Sequence, residues 1–306
     1  MQITDPEVLR FIADTEAAYP ADANGATADD NRRMYDAMCA VFRAPHPAGL
    51  PVRDETVAGV PVRRYIPEGA AGRAFLLYSH GGGFVVGGLD SHDDVCAELA
   101  VATGCEVVSV DYRLAPEHLF PAQIDDVAAV WQAETATGRG GIAIGDSAGG
   151  NLSAALCLRM RRIGGAMPLA QVLIYPGLGG DMTAPSYTDN AEAPLLRTQD
   201  LKSYADLITG GNPDLRRNNP EASPLRASSF EGLPPALIVT ADVDPIRDDG
   251  PAYQEKLRAV GIRADWRNEA QLVHGYLRAR HGSKRAGESF AAICDWINRF
   301  LAGGEP

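Results

Sequence analysis

Ile142-Ala143-Ile144-Gly145-Asp146-Ser147-Ala148-Gly149, leading into Asn151-Leu152-Ser153-Ala154-Ala155-Leu156-Cys157-Leu158, is the stretch on which the reading of this 306-residue chain turns. The opening apolar run has the length of a buried strand, and the residues from Asn151 are helix formers with an apolar face. A serine between the two, with a glycine two places to either side, has the pattern of a nucleophile elbow. The reason is steric. A tight strand-to-helix turn strains one residue's backbone and brings neighbouring chain so close that bulky flanking side chains would clash. The Ser147 hydroxyl then stands above the sheet at a helix N-terminus, where the dipole favours developing negative charge. In a chain with 32 glycines a five-residue match does not decide the matter alone, so its surroundings must agree.

They do agree. From Phe75 the pattern alternates strand and helix: Phe75–Tyr78, a helix over 91–102, Glu106–Val110, a helix over 121–134, then Ile142–Ile144 and the elbow helix to about Arg162. Gln171–Tyr175 and Ala236–Thr240 are the next strands. A helix over 251–260, a short strand near Ala264–Trp266 and a closing helix over 287–301 finish the chain. Such alternation specifies a mostly parallel α/β sheet with helices on both faces, reacting at the C-terminal ends of its strands. Residues 1–50 are helical in pattern, with Asp5-Pro6-Glu7 opening one helix and Asp29-Asp30-Asn31 capping another that runs to Phe42. Two strands joined at Ala58-Gly59 follow. Beyond Pro176 the alternation lapses into Gly- and Pro-punctuated chain holding one helix, Thr198–Thr209, which reads as a lid assembled with the N-terminal helices. The expected division is 1–50 N-terminal part of a helical cap, 51–178 core, 179–214 cap insertion and 215–306 core.

A reactive serine needs a base, an orienting acid and donors for an oxyanion. On α/β sheets with such an elbow the chain order is Ser, then Asp or Glu, then His. Asp244 follows the strand Ala236–Thr240, and Pro245 disfavours helix at Asp244 itself. Asp242 is read as a turn or cap residue, and Asp248 and Asp249 as charges complementing a helix dipole. Of six histidines only His274 and His281 come after Asp244. His274 lies in a loop just past a strand, where Gly275 permits a turn, whereas His281 sits in a polar run facing solvent. For the oxyanion, His80-Gly81-Gly82-Gly83 follows a strand, and consecutive glycines let bare backbone N–H groups face one point. The expected donors are the N–H groups of Gly82, Gly83 and Ala148. No G-K-[ST] follows this loop, which sets aside a phosphate-binding reading.

Net charge is −12, from 40 acidic and 28 basic residues, and no basic stretch offers a phosphate footprint. That excludes nucleic acid as the expected partner. Five scattered cysteines lack C-x-x-C spacing, and Cys96, Cys157 and Cys294 fall in apolar helical patterns, so buried thiols are expected. No spacing suggests a metal, and Asp181, Asp189 and Glu192 are read as solvated. No apolar run reaches the length of a membrane span, and the N-terminus has no basic-then-apolar leader, so a cytoplasmic protein is expected.

The motifs HGGGF (His80–Phe84), DYRLAPEH (Asp111–His118), FPA (Phe120–Ala122), GDSAGG (Gly145–Gly150), SPL (Ser223–Leu225), GLPPALIVTADVDPIRDDG (Gly232–Gly250) and HGY (His274–Tyr276) resemble the hormone-sensitive-lipase family of α/β-hydrolases. Within it they are similar to the GDSAG group of bacterial carboxylesterases. The resemblance spans about residues 75–276. It implies the α/β-hydrolase fold with a helical cap, Ser147, Asp244 and His274 as a triad, and the glycines of HGGG as an oxyanion hole. It also implies that DYRLAPEH braces the core and the site wall, despite the inviting Glu117 and His118. Ile246 and Tyr276 stand where the family usually has Leu and Phe. The implied reaction is hydrolysis of small, short-chain carboxylic esters through an acyl-enzyme, with no cofactor. An amidase or peptidase is the alternative on this scaffold. A receptor that keeps the pocket is a further one, though such relatives replace the histidine that His274 supplies here. A homodimer is left open.

Overall fold

The computed structural model describes residues 3–19 and 27–304. Eight strands form one sheet: β1 (Val52–Val57), β2 (Val60–Tyr65), β3 (Phe75–Ser79), β4 (Glu106–Val110), β5 (Gly141–Asp146), β6 (Ala170–Ile174), β7 (Ala236–Val243) and β8 (Ala264–Val273). Their order is β1-β2-β4-β3-β5-β6-β7-β8. β2 alone runs against the rest, pairing antiparallel with β1 and β4. The β1–β2 hairpin turns on Ala58 and Gly59, both with positive φ, as a two-residue turn matched to strand twist requires. Strands β3 to β7 are buried along their whole length, which explains their unbroken apolar runs.

Alternate residues of each strand feed opposite faces. On one face Leu76, Tyr78, Ile142 and Ile144 pack with α1 (Pro6–Ala18), α3 (Asp93–Thr103) and α10 (Lys284–Leu301). On the other, Phe75, Leu77 and Ala143 meet α4 (Ala122–Thr135) and α5 (Ala148–Ile163), while Ile238 and Leu173 meet α5 and α9 (Asp249–Ala259). All five cysteines are free and buried: Cys96, Cys157 and Cys294 as their apolar helical patterns anticipate, and Cys39 and Cys105 as well.

Two local expectations need correction. The cap of α2 (Ala28–Phe42) is Thr27, whose hydroxyl accepts the Asp30 N–H while Asp30 answers to the Thr27 N–H; Asp29 and Asn31 only follow it. The short strand near Ala264 is a ten-residue one. Its middle, Arg267-Asn268-Glu269, is polar because β8 pairs only with β7 and its outer edge faces solvent, where charge protects an unpaired edge.

Three helices follow β6: α6 (Pro185–Asp189), α7 (Thr198–Thr209) and α8 (Pro213–Asn218). The boundary expected at 214/215 falls inside α8. Tyr35, Met38 and Cys39 of α2 share an apolar cluster with Ile208 of α7 and with Val85 and Val86, just past the glycine loop. Arg32 of α2 reinforces that junction, donating to the carbonyls of Val85 (2.9 Å) and Ala115 (3.0 Å) and pairing with Glu117.

Candidate active site

Ser147 has φ 53° and ψ −116°, a backbone state that costs a non-glycine residue about 1–3 kcal/mol. Its surroundings hold it there. The Ser147 N–H donates to the Ile174 carbonyl (2.8 Å), and the Ser147 carbonyl accepts from Asn151 (3.1 Å) and Gly177 (3.4 Å). The flanking glycines are obligatory: a Cβ on Gly149 would stand 1.8 Å from the Ser79 carbonyl oxygen, and one on Gly145 would lie 2.5 Å from the Gly149 backbone. The elbow thus joins β5 to α5 at the closest approach of backbone in the site.

Asp244 comes one residue beyond β7 and is fully buried. His274 comes one residue beyond β8, and a register shift between β7 and β8 carries it back over the sheet. Gln271, at φ 66°, is the distorted residue of β8. Asp242 stitches this irregularity, accepting from Asn268 Nδ2 (3.0 Å) and the Gln271 N–H (3.3 Å). The Gln271 side chain in turn accepts the N–H groups of Thr4 and Asp5, so the segment leading into α1 is fastened to the strand before His274.

The three side chains meet in one line. His274 Nε2 lies 2.8 Å from Ser147 Oγ, and His274 Nδ1 lies 2.8 Å from Asp244 Oδ2. Asp244 Oδ1 is occupied by the Ile246 N–H (3.0 Å), which fixes the carboxylate plane. Tyr175 packs its ring 4.9 Å from that of His274, and Tyr276 packs behind Tyr175 with its hydroxyl on Ser289 (2.7 Å). Tyr276 and Ile246, the two departures from the family pattern, are both buried, Tyr276 under this turn and Ile246 in a cluster with Tyr187 and Leu196.

The glycine loop lies beside the elbow, with Gly82 at φ 121° and Gly83 at φ 60°. Among the described residues the backbone N–H groups of Gly82, Gly83 and Ala148 donate to no partner. A Cβ on Gly82 would stand 2.1 Å from the Val86 carbonyl oxygen, and one on Gly83 would stand 2.6 Å from the ring of Tyr204 on α7. The loop is braced from below. His80 stacks on Tyr112 at 4.2 Å, and burial together with the neighbouring charge of His92 lowers its pKa to about 3, so it is a neutral strut.

Other residues weighed in the sequence fall elsewhere. His118 and Glu117 are exposed, with Glu117 bound to Arg32; His281 is exposed and paired with Glu98 (2.7 Å). Asp249 is more than a helix-end charge: it is buried and accepts from the Tyr187 hydroxyl and from the Leu178 and Gly180 N–H groups, a role no local pattern announces. Among the described residues no helix is long and apolar enough to cross a membrane.

Residues 76–278 match a family model described as having the alpha/beta hydrolase fold. The chain is 39% identical over 290 residues to a carboxylesterase, NlhH, of Mycobacterium tuberculosis, covering 89% of this chain and 88% of that protein. It is 32% identical to an ethyl acetate hydrolase of Pseudomonas putida, covering 97% and 99%. A crystal structure of an esterase from the bacterial hormone-sensitive lipase family superposes with a TM-score of 0.88 at 32% identity, over 98% of this chain and all of that one. An elbow serine, the order Ser147, Asp244, His274 and a glycine loop beside them accord with these likenesses, and the chain belongs to the hormone-sensitive-lipase family of α/β-hydrolases.

Proposed function

We propose that this protein is a serine carboxylesterase that cleaves short-chain carboxylic esters through an acyl-enzyme. The observation that carries the reading is the unbroken hydrogen-bonded line from Ser147 Oγ through His274 to Asp244, 2.8 Å at each step. Ser147 attacks the ester carbonyl while His274 takes its proton, and Asp244 fixes the imidazole and balances its charge. The oxyanion settles against the N–H groups of Gly82, Gly83 and Ala148, which have no described partner of their own. His274 then protonates the departing alcohol. Water repeats the cycle and releases the acid.

The short-chain preference is supported by the cap. The ring of Tyr204 on α7 lies against Gly83, so a bulky cap side chain stands beside the donors proposed for the oxyanion. The likeness to an ethyl acetate hydrolase points the same way.

The experiment is Ser147→Ala assayed on p-nitrophenyl acetate through decanoate. The parent is expected to favour the shortest esters, and the variant to lose about 10⁴-fold or more in kcat. An organophosphate should label Ser147 in the parent alone. A variant with parental activity overturns the reading.

A further inference from the structure

The structure is rich in arginine–carboxylate pairs. Arg64, Arg159 and Arg280, all largely withdrawn from solvent, each hold at least two carboxylates. Arg278 breaks that rule. It is half-buried, it sits one turn beyond His274, and among the described residues it pairs with no carboxylate. Its guanidinium lies 5.2 Å over the ring of Tyr35 on α2, donates from Nη2 to the Tyr35 hydroxyl (2.6 Å) and from Nη1 to the Gly275 carbonyl (3.3 Å). Its Nε is buried with no partner among the described residues.

The position of this cation is telling. A Cβ on Gly275 would stand 2.6 Å from Arg278 Nη1, so the guanidinium presses on the turn that carries His274. Tyr35, on which the guanidinium lies, belongs to the apolar cluster that also holds Val85 and Val86 just past the glycine loop, with Tyr204, whose ring covers Gly83, packed against it. Arg278 therefore lies between the turn that carries His274 and the part of the cap that covers the glycine loop. A guanidinium drawn part-way out of water without an anion is unfavourable, and stacking on Tyr35 offsets only part of that cost.

We propose that Arg278 is a specificity-determining residue that receives a carboxylate carried by the ester substrate, on its acyl or its alcohol side. The proposal rests on the ester-hydrolase reading above and names a substrate class for the same site. Arg suits this task because its planar fork meets a carboxylate with two parallel hydrogen bonds. The net charge of −12 opposes an anion at long range, but salt screens that field beyond about 8 Å, and the local cation governs the final approach.

Two matched pairs test it in a pH-stat: monomethyl succinate against methyl butanoate, with the carboxylate on the acyl side, and acetoxyacetate against propyl acetate, with it on the alcohol side. The parent is expected to show the higher kcat/KM for the anionic member of one pair, and the pair that responds identifies the side. Arg278→Met should cut that anionic-to-neutral ratio about tenfold or more, mainly through KM, with Arg278→Lys recovering part of it. On the unmodified chain, glutarate should inhibit neutral-ester hydrolysis more strongly than glutaramide, a readout that survives if the Met variant fails to fold. A ratio unchanged in the Met variant, a neutral preference in both pairs, or equal inhibition by glutarate and glutaramide overturns the role of Arg278 alone. Hydrolysis of none of the four esters overturns the esterase reading along with it.

Discussion

Asp146 stands immediately before Ser147, yet its carboxylate serves the neighbouring loop. It accepts the Tyr78 hydroxyl (2.8 Å) and the Gly81 N–H (3.0 Å), and lies 3.2 Å from His92 Nε2. Burial opposes its ionisation, but the charge and hydrogen bond of His92 and the bond from Tyr78 outweigh burial and hold its pKa well below the usual carboxylate range. One side chain thus ties the elbow to the loop that bears Gly82 and Gly83. Asp146→Ala would leave Gly81, Tyr78 and His92 unpaired in the core, each at about 1–3 kcal/mol. The variant should melt earlier and lose about 10²-fold in kcat as the loop N–H groups drift, with KM little changed. Asp146→Asn keeps an acceptor for Gly81 and should retain most of the rate. Melting curves and steady-state kinetics on the same preparations decide, and an alanine variant with parental kcat removes Asp146 from this role. The sequence names no partner for Asp146, because Tyr78 and Gly81 lie 68 and 65 residues away and only the β3–β5 pairing unites them.

The insertion after β6 is held to the core by an element end. Asp249 opens α9 and gathers Tyr187 of α6 (2.8 Å) and the N–H groups of Leu178 (2.8 Å) and Gly180 (3.3 Å). Burial raises its pKa from 3.8 to about 6 against the pull of those hydrogen bonds. The folded state therefore binds this proton more tightly than the unfolded one. Its contribution to stability is complete below about 3.8, and fades as pH rises through about 6. Asp249→Asn keeps an acceptor for the two N–H groups and cannot ionise, so the stability difference, variant minus parent, should grow in the variant's favour between pH 4 and pH 6 and then level off. Urea unfolding at a series of pH values measures it, and a flat difference sinks the argument. Elements of this kind also mark what sequence could not reach. The buried strands β3 to β7, the helix Thr198–Thr209 and the elbow were legible because burial on both faces writes an unbroken apolar run and tight turns demand glycine. β8 was legible only at its start, since an exposed edge leaves no apolar signal, and the bond of Asp242 to a bulge 29 residues away has no local signature. Ser147 and Asp244 were nonetheless nameable as candidates because each follows a strand that could be read, and His274 because it is a histidine beyond Asp244 placed just before a turn-permitting glycine.

At the scale of the whole molecule, Ser147, Asp244 and His274 follow the ends of β5, β7 and β8, and a buried ion cluster on a separate flank is expected to carry stability rather than catalysis. The flank formed by β1, β2 and β4 is locked by Arg64, which binds Glu55 of β1, Glu106 of β4 (2.9 Å) and Glu134 of α4. Glu106 has a second partner in Arg139 (2.8 Å), but Glu134 has no other cation among the described residues. The cluster is almost closed to solvent, with Arg64 8% and Glu134 7% exposed. Replacing a buried ion pair with apolar groups can be neutral, but deleting one partner strands the other's charge and costs about 3–5 kcal/mol. Arg64→Ala is therefore expected to lower Tm by roughly 6–20 °C, at about 2–4 °C per kcal/mol for a large domain. Arg64→Ala combined with Glu134→Gln should recover much of the loss, because the stranded charge is then gone. Neither change touches the Ser147, Asp244 and His274 line, so kcat well below the transition should match the parent in both. Scanning calorimetry paired with initial rates at 25 °C separates the two quantities. A fall in kcat that tracks the fall in Tm would mean that this flank and the site are mechanically coupled and that the division of labour proposed for the two is wrong.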